Sequence, residues 1–116
     1  MKRLSVLSVI AVAGIVACSS ADPTTTSPTG ATVTLKATSF EPATITVKVG
    51  DTVTWKWAEG THDVESGANC TEDGKFSSGE PVAGGTFEQK FDTAGTFDYF
   101  CSVHCTGGMT GKVIVQ

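Results

Sequence analysis

Apolar and polar residues alternate along most of the chain after Ala31. Val33, Leu35 and Ala37 alternate with Thr32, Thr34 and Lys36. Ile45, Val47 and Val49 alternate with Thr44, Thr46 and Lys48. After a turn at Gly50-Asp51, Val53, Trp55 and Trp57 alternate with Thr52, Thr54 and Lys56. Further runs follow at Phe87, Gln89 and Phe91, at Phe97, Tyr99 and Cys101, and from Lys112 to Val115. A two-residue period built on β-branched and aromatic side chains and broken by Gly, Asp and Pro predicts strands with one buried face. No segment after Ala31 carries a helical period. About seven short strands over residues 31–116 predict an all-β fold, a two-sheet antiparallel sandwich with Greek-key links. Glu59 to Gly85 is polar and Gly-rich, with room for one short strand at His62–Glu65, and a loop of that length is often functional.

The first thirty residues follow different rules. Lys2 and Arg3 precede an apolar stretch from Leu4 to Val16, the layout of an export signal and too short to span a bilayer. It ends Ile15-Val16-Ala17-Cys18, which resembles the bacterial lipobox. That resemblance implies removal of residues 1–17, acylation of Cys18, and an exported domain anchored to a membrane and facing the periplasm or the extracellular side. The alternative is an ordinary signal peptide cleaved near Ala17 or Ala21. Ser19 to Gly30 is polar and Pro-containing and cannot pack a core, so it reads as a tether.

Composition narrows the function. A chain of 116 residues allows one small domain and excludes a multidomain enzyme. Lys and Arg number 8 against 12 acids, for a net charge of −4, which argues against nucleic-acid binding. Against two His and two Met in the whole chain, Cys101, His104 and Met109 fall together in C-S-V-H-C-T-G-G-M, and His62 follows the Val53–Trp57 run. A thiolate, two imidazoles and a thioether suit copper in both its oxidation states, as a trigonal Cys-His-His plane with a weak axial Met. Competing readings exist. Cys101 and Cys105 have the spacing of a binuclear copper site but lack the later His that such a site needs. A structural zinc would not ordinarily take a thioether. Cys101 as half of an immunoglobulin-like disulfide leaves His104 incidental.

These residues lie in a longer similarity. Phe40-Glu41-Pro42, the G-D-T-V-T-W from Gly50, the T-H-D-V around His62, the D-T-A-G-T-F-D-Y-F-C ending at Cys101 and the closing G-M-T-G-K-V resemble the small blue copper proteins, cupredoxins of the plastocyanin, amicyanin and halocyanin kind. The resemblance spans residues 31–116. It implies one copper ion cycling between Cu(I) and Cu(II), held by His62, Cys101, His104 and Met109, with no catalytic residues. It implies a monomer that shuttles single electrons between a redox donor protein and an acceptor protein through the outer edge of His104. A copper carrier or store on the same fold is the alternative. Val103 stands where the family commonly has Pro or Gly. Asp63 stands where it often has Asn, which sets Asp63 and Ser102 beside the ligands. With Cys18 assigned to lipid and Cys101 to copper, Cys70 and Cys105 remain for a disulfide in an oxidising compartment, the rival being two buried free thiols. Trp55 and Trp57 are expected in the core, and Phe97 and Tyr99 in the core beside the metal. The acids Glu59, Asp63, Glu65, Glu72, Asp73 and Glu80, against one Lys75, read as a solvated face or a docking edge.

Overall fold

The computed structural model describes residues 30–116. The export signal, Cys18 and the tether up to residue 29 lie outside the described residues. Gly30 already lies on the domain, where a Cβ would run into the Thr52 carbonyl oxygen.

Nine strands follow: β1 (Thr32–Leu35), β2 (Phe40–Glu41), β3 (Thr44–Val47), β4 (Thr52–Trp57), β5 (Glu65–Ala68), β6 (Thr71–Ser77), β7 (Thr86–Lys90), β8 (Gly95–Phe100) and β9 (Thr110–Val115). The only helical piece among the described residues is a 3-10 turn at Cys105–Gly107. The strands form a four-stranded sheet in the order β2-β1-β4-β7 and a five-stranded sheet in the order β3-β9-β8-β5-β6. Alternation becomes burial as the sequence predicts. Val33, Leu35, Val53, Trp55 and Val113 are fully buried, with Ile45, Val47 and Val115 close behind. Each Val or Leu so buried contributes about 1.5–3 kcal/mol. Trp55 is the centre of the core, packing on Phe87 at 5.5 Å and edge-on to Tyr99 at 5.3 Å between ring centroids.

Four expectations are corrected. The sheets are mixed rather than wholly antiparallel, because β1 pairs parallel with β4 and β3 parallel with β9. After β2 the chain crosses to the other sheet to form β3, then returns beside β1, and that double crossing sets the parallel neighbours. Alternation encodes which face is buried and carries nothing about which strand lies alongside. The first two runs are shorter than predicted. β1 ends at Leu35, leaving Ala37 exposed. β3 ends at Val47, leaving Val49 49% exposed where Asp51 caps the turn through Lys48 N–H to Oδ2 at 2.9 Å. Phe97 is only half-buried and packs on Phe91 at 5.2 Å, near the start of β8 and away from Cys101.

The polar stretch holds the fourth. Glu59 to Gly85 is not one long loop, because β5 and β6 form a hairpin within it. Asn69 and Cys70, at φ 56° and 60°, occupy the two turn positions, the backbone that a two-residue hairpin demands. Ser66 is buried inside the hairpin, donating to Asp73 Oδ1 at 2.6 Å and accepting from Phe76 N–H at 2.8 Å. The Ser66 hydroxyl holds the Asp73 carboxyl below its ordinary value. Polar bonds replace apolar alternation here.

Candidate metal centre

Two segments meet at one end of the sandwich. The first leaves β4 and carries His62. Its backbone forms a two-way bridge with Val82, His62 N–H to Val82 O and Val82 N–H to His62 O, both at 2.9 Å. The His62 carbonyl also accepts the Trp57 indole N–H at 2.9 Å. The imidazole Nε2 lies 2.6 Å from the Glu59 carbonyl oxygen. A carbonyl only accepts, so Nε2 carries the proton, and in the neutral ring Nδ1 keeps its lone pair. Nδ1 lies 3.6 Å from the Cys101 sulfur. Gly60 gives the ring its space: a Cβ there would come 2.9 Å from Nε2.

The second segment leaves β8 at Cys101 and returns at β9. Cys101 N–H donates to Met109 O at 3.1 Å and closes the loop at its base. Inside it, the His104 carbonyl accepts from Gly107 N–H at 2.9 Å and Met109 N–H at 3.2 Å. Gly108, at φ 98°, ends the 3-10 turn in a conformation that suits glycine. His104 Nδ1 lies 3.8 Å from the Cys101 sulfur, and the two imidazole centroids are 5.0 Å apart. One donor atom from each of His62, Cys101 and His104 falls within 4.8 Å of the others. His62, Cys101 and Met109 are fully buried and His104 is half-buried. Met109 joins the group through its backbone bonds to Cys101 and His104.

Two further connections join the segments. Asp63 is 3% exposed and accepts twice from Ser102, from the amide at Oδ1 and the hydroxyl at Oδ2, each at 2.6 Å. Cys70, in the turn of the hairpin, forms a disulfide with Cys105, whose Cα is 5.8 Å away. Cys101 is the one free cysteine among the described residues.

The acid-rich run divides in two. Glu59, Glu72, Asp73 and Glu80 are exposed, whereas Asp63 and Glu65 are buried, so the run is not a uniform solvated face. Glu65 accepts from the Ser77 hydroxyl at 2.7 Å. Burial pushes its carboxyl up, and the charges of Asp63, Glu72 and Glu80 add to this. A cavity of about 490 Å³ lined by Asp63, Glu65, Glu72, Glu80 and Ser102 opens beside the site. Burial likewise pushes the Tyr99 phenol up to about 12, keeping it neutral in the core.

Trp57, Glu59 and Gly60 were missed as site residues. Trp57 is half-buried rather than core, and its indole works as a donor to the His62 backbone. The Glu59 contribution is a carbonyl, which every residue owns, so no sequence signal marks it. Gly60, two positions before His62, was the visible hint.

A buried thiol flanked by two imidazole nitrogens, with a buried thioether residue bonded to the same loop through its backbone, fits copper by its donor chemistry. Comparison with known proteins agrees. The sequence model of the copper binding proteins, plastocyanin/azurin family, matches residues 29–116. Plastocyanin of Scenedesmus fuscus is 41% identical over 89 residues, covering 66% of this chain and 86% of that protein. Chloroplastic plastocyanin of Tetradesmus obliquus is 42% identical over 88 residues, and halocyanin of Natronomonas pharaonis 45% identical over 80, each covering 66% of this chain. The chain spans 58% of the former and 48% of the latter. Among solved structures, a mutant of amicyanin in its Cu(I) form superposes with a TM-score of 0.63 at 31% identity, covering 75% of this chain and 82% of that one.

Proposed function

This chain belongs to the plastocyanin/azurin family of copper-binding proteins, and from that premise we propose that it is a one-electron carrier, not an enzyme, with His62, Cys101, His104 and Met109 as its metal ligands. Its cofactor is one copper ion. The observation that carries the reading is the position of the Cys101 sulfur, 3.6 Å from His62 Nδ1 and 3.8 Å from His104 Nδ1. Copper supplies a one-electron couple, and a thiolate, two imidazoles and a thioether satisfy both of its oxidation states.

The protein's part is to hold those donors still. The Val82 bridge, the Glu59 carbonyl and the Cys101–Met109 bond fix them before metal arrives, so little rearrangement accompanies a change of charge. Full burial of His62, Cys101 and Met109 keeps water away. Half-buried His104 offers the outward edge for electrons, and Val82 and Val103, 46% and 47% exposed, give a redox partner an apolar place to rest. On the same proposal the chain crosses a membrane and is held there through acylated Cys18, with residues 19–29 as tether and Gly30 already on the domain.

The test is the visible and electron paramagnetic spectrum of the copper-loaded protein. One copper per chain with an intense thiolate-to-copper band is expected. Cys101→Ser abolishes the band, and Met109→Gln keeps it while lowering the potential. An unchanged band after Cys101→Ser overturns the assignment. Cys18→Ser releases the protein from membranes with its spectrum intact; a variant that stays bound through a high-salt wash removes the lipid anchor from the reading.

A further inference from the structure

Asp63 presents a charge problem. Its carboxylate is 3% exposed, and burying an ion without a counter-ion is costly. Its two bonds, both from Ser102, are to neutral donors. The ion pairs among the described residues are Lys36–Glu59, Lys75–Asp73, Lys90–Asp92 and Lys112–Asp98, and none includes Asp63. The cavity it shares with Ser102 is lined by three more acids, Glu65, Glu72 and Glu80, and by no Lys, Arg or His. An amide would hold Ser102 equally well, taking the backbone N–H on its oxygen and donating to the hydroxyl, which can accept. The strap alone therefore does not require a charge.

The metal does. Asp63 follows His62 directly, and Ser102 follows Cys101. Resting on the copper reading above, the thiolate leaves a cupric site with one positive charge in excess and a cuprous site neutral. Asp63 neutralises the first and leaves a buried negative charge on the second. We propose that the Asp63 carboxylate is the built-in counter-charge of the oxidised site, a positioning and tuning residue that biases this chain toward giving its electron up. The partner it suits best is an acceptor, because the chain is a stronger reductant than the same fold with an uncharged residue at position 63.

The experiment compares the full chain with Asp63→Asn and Ser102→Ala at neutral pH. The first variant removes the charge and can keep both bonds; the second keeps the charge and loses one bond. With copper loaded, the ratio of oxidised to reduced protein is read against a redox mediator of fixed potential. Asp63→Asn is expected to lower that ratio by about tenfold, comparable to the low end of what groups behind metal ligands do to metal affinity or activity, with the visible band retained. Ser102→Ala is expected to raise the ratio, because the carboxylate loses a donor that draws off its charge. The metal-free proteins supply a readout independent of copper: Asp63→Asn is expected to melt higher than wild type, since a buried charge goes while the strap stays. An unchanged ratio in Asp63→Asn, or an equal shift in one direction for both variants, overturns the counter-charge and leaves the copper reading standing. A wild-type protein that takes up no copper overturns both, and the missing visible band tells the two failures apart.

Discussion

Two segments bring an imidazole nitrogen to Cys101, and they are held in opposite ways. His62 is fixed along its whole length: its backbone by the bridge to Val82, its carbonyl by Trp57, its ring by the Glu59 carbonyl. It is fully buried. Apart from the approach of its Nδ1 to the Cys101 sulfur, His104 is held through its carbonyl, by two amides of its own loop, and its side chain is half-buried. What steadies that loop comes from outside it: Asp63 holding Ser102, and Cys70 holding Cys105. The buried side is built like core, and its geometry is part of the stability of the fold. The exposed side is built like a loop clamped at two points, so it can face a partner and still keep its place.

Removing each ring in turn separates the two sides most strongly. His62→Gly and His104→Gly should both abolish the visible copper band, but they should differ in everything else. His62→Gly empties a buried volume and should destabilise the metal-free fold by about 2–4 kcal/mol. His104→Gly should cost about 0.5 kcal/mol. Added imidazole should restore colour only to the second. Denaturant unfolding and an imidazole titration check both halves, and equal costs would erase the distinction.

The clamps come next. Replacing Cys70 and Cys105 together by Ser opens a link across 35 residues of sequence, which chain entropy values at about 4 kcal/mol at most. Because the clamp acts on the His104 side, loss of copper to a chelator should speed up as well. A variant that unfolds earlier yet releases copper at the wild-type rate would show that the bridge serves the hairpin and not the loop. A smaller change tests the other side. At Gly60, with φ 82°, a Cβ would press on His62 Nε2, so Gly60→Ala should cost about 1–3 kcal/mol and shift the copper band. Gly107→Ala, where a Cβ meets nothing within 4 Å, should stay within about 0.5 kcal/mol and leave the band alone.

The smallest effect is a pH dependence on the His62 side. Burial raises the Glu65 carboxyl above its ordinary 4.5, so the folded state prefers it protonated. Its stabilising contribution is complete below 4.5 and is lost as pH rises through the raised value. Glu65→Gln should therefore stabilise the metal-free protein at pH 7, by an amount that shrinks toward pH 4. Asp73 has the opposite sign. Its carboxyl is lowered from 3.8, first by the Ser66 hydroxyl, so its contribution is present above 3.8 and fades as pH falls through the lowered value. Unfolding midpoints of wild type and Glu65→Gln at pH 7 and pH 4 check the first sign, and those of wild type and Asp73→Asn at pH 7 and at a pH below 3.8 check the second.

Much of this architecture is legible in the sequence, for uneven reasons. β1, β3, β4, β8 and β9 announce themselves because one face of each is core, and Val, Leu, Ile and Trp at alternate positions record it, with Tyr99 and Cys101 doing so at and just past the end of β8. The β5–β6 hairpin does not, because it lies at the edge of its sheet with Phe76 as the one buried residue of β6. It is shaped by Ser66, Asp73 and two left-handed turn residues. The donor set is readable because His, Met and Cys are scarce and their clustering is chemically specific. The supports around it are not. A carbonyl at Glu59 has no signature, and nothing in a run of six acids says that Asp63 and Glu65 turn inward while their neighbours face water. Which strands run parallel is equally silent, since a side chain records its surroundings and not the direction of the strand beside it.

The disulfide has a consequence for how the protein matures. Residues 30–116 hold three cysteines, and the bond between Cys70 and Cys105 withdraws two of them, leaving Cys101 as the one free thiol among the described residues. A chain still in its thiol form offers Cys101 and Cys105 on either side of His104, two thiols and an imidazole of the kind that soft cations favour. Metal captured that way holds open the bond that should have excluded it. The expected order of assembly is oxidation first and copper second: protein loaded with copper while reduced should form the Cys70–Cys105 bond more slowly than metal-free protein, which thiol counting over time checks.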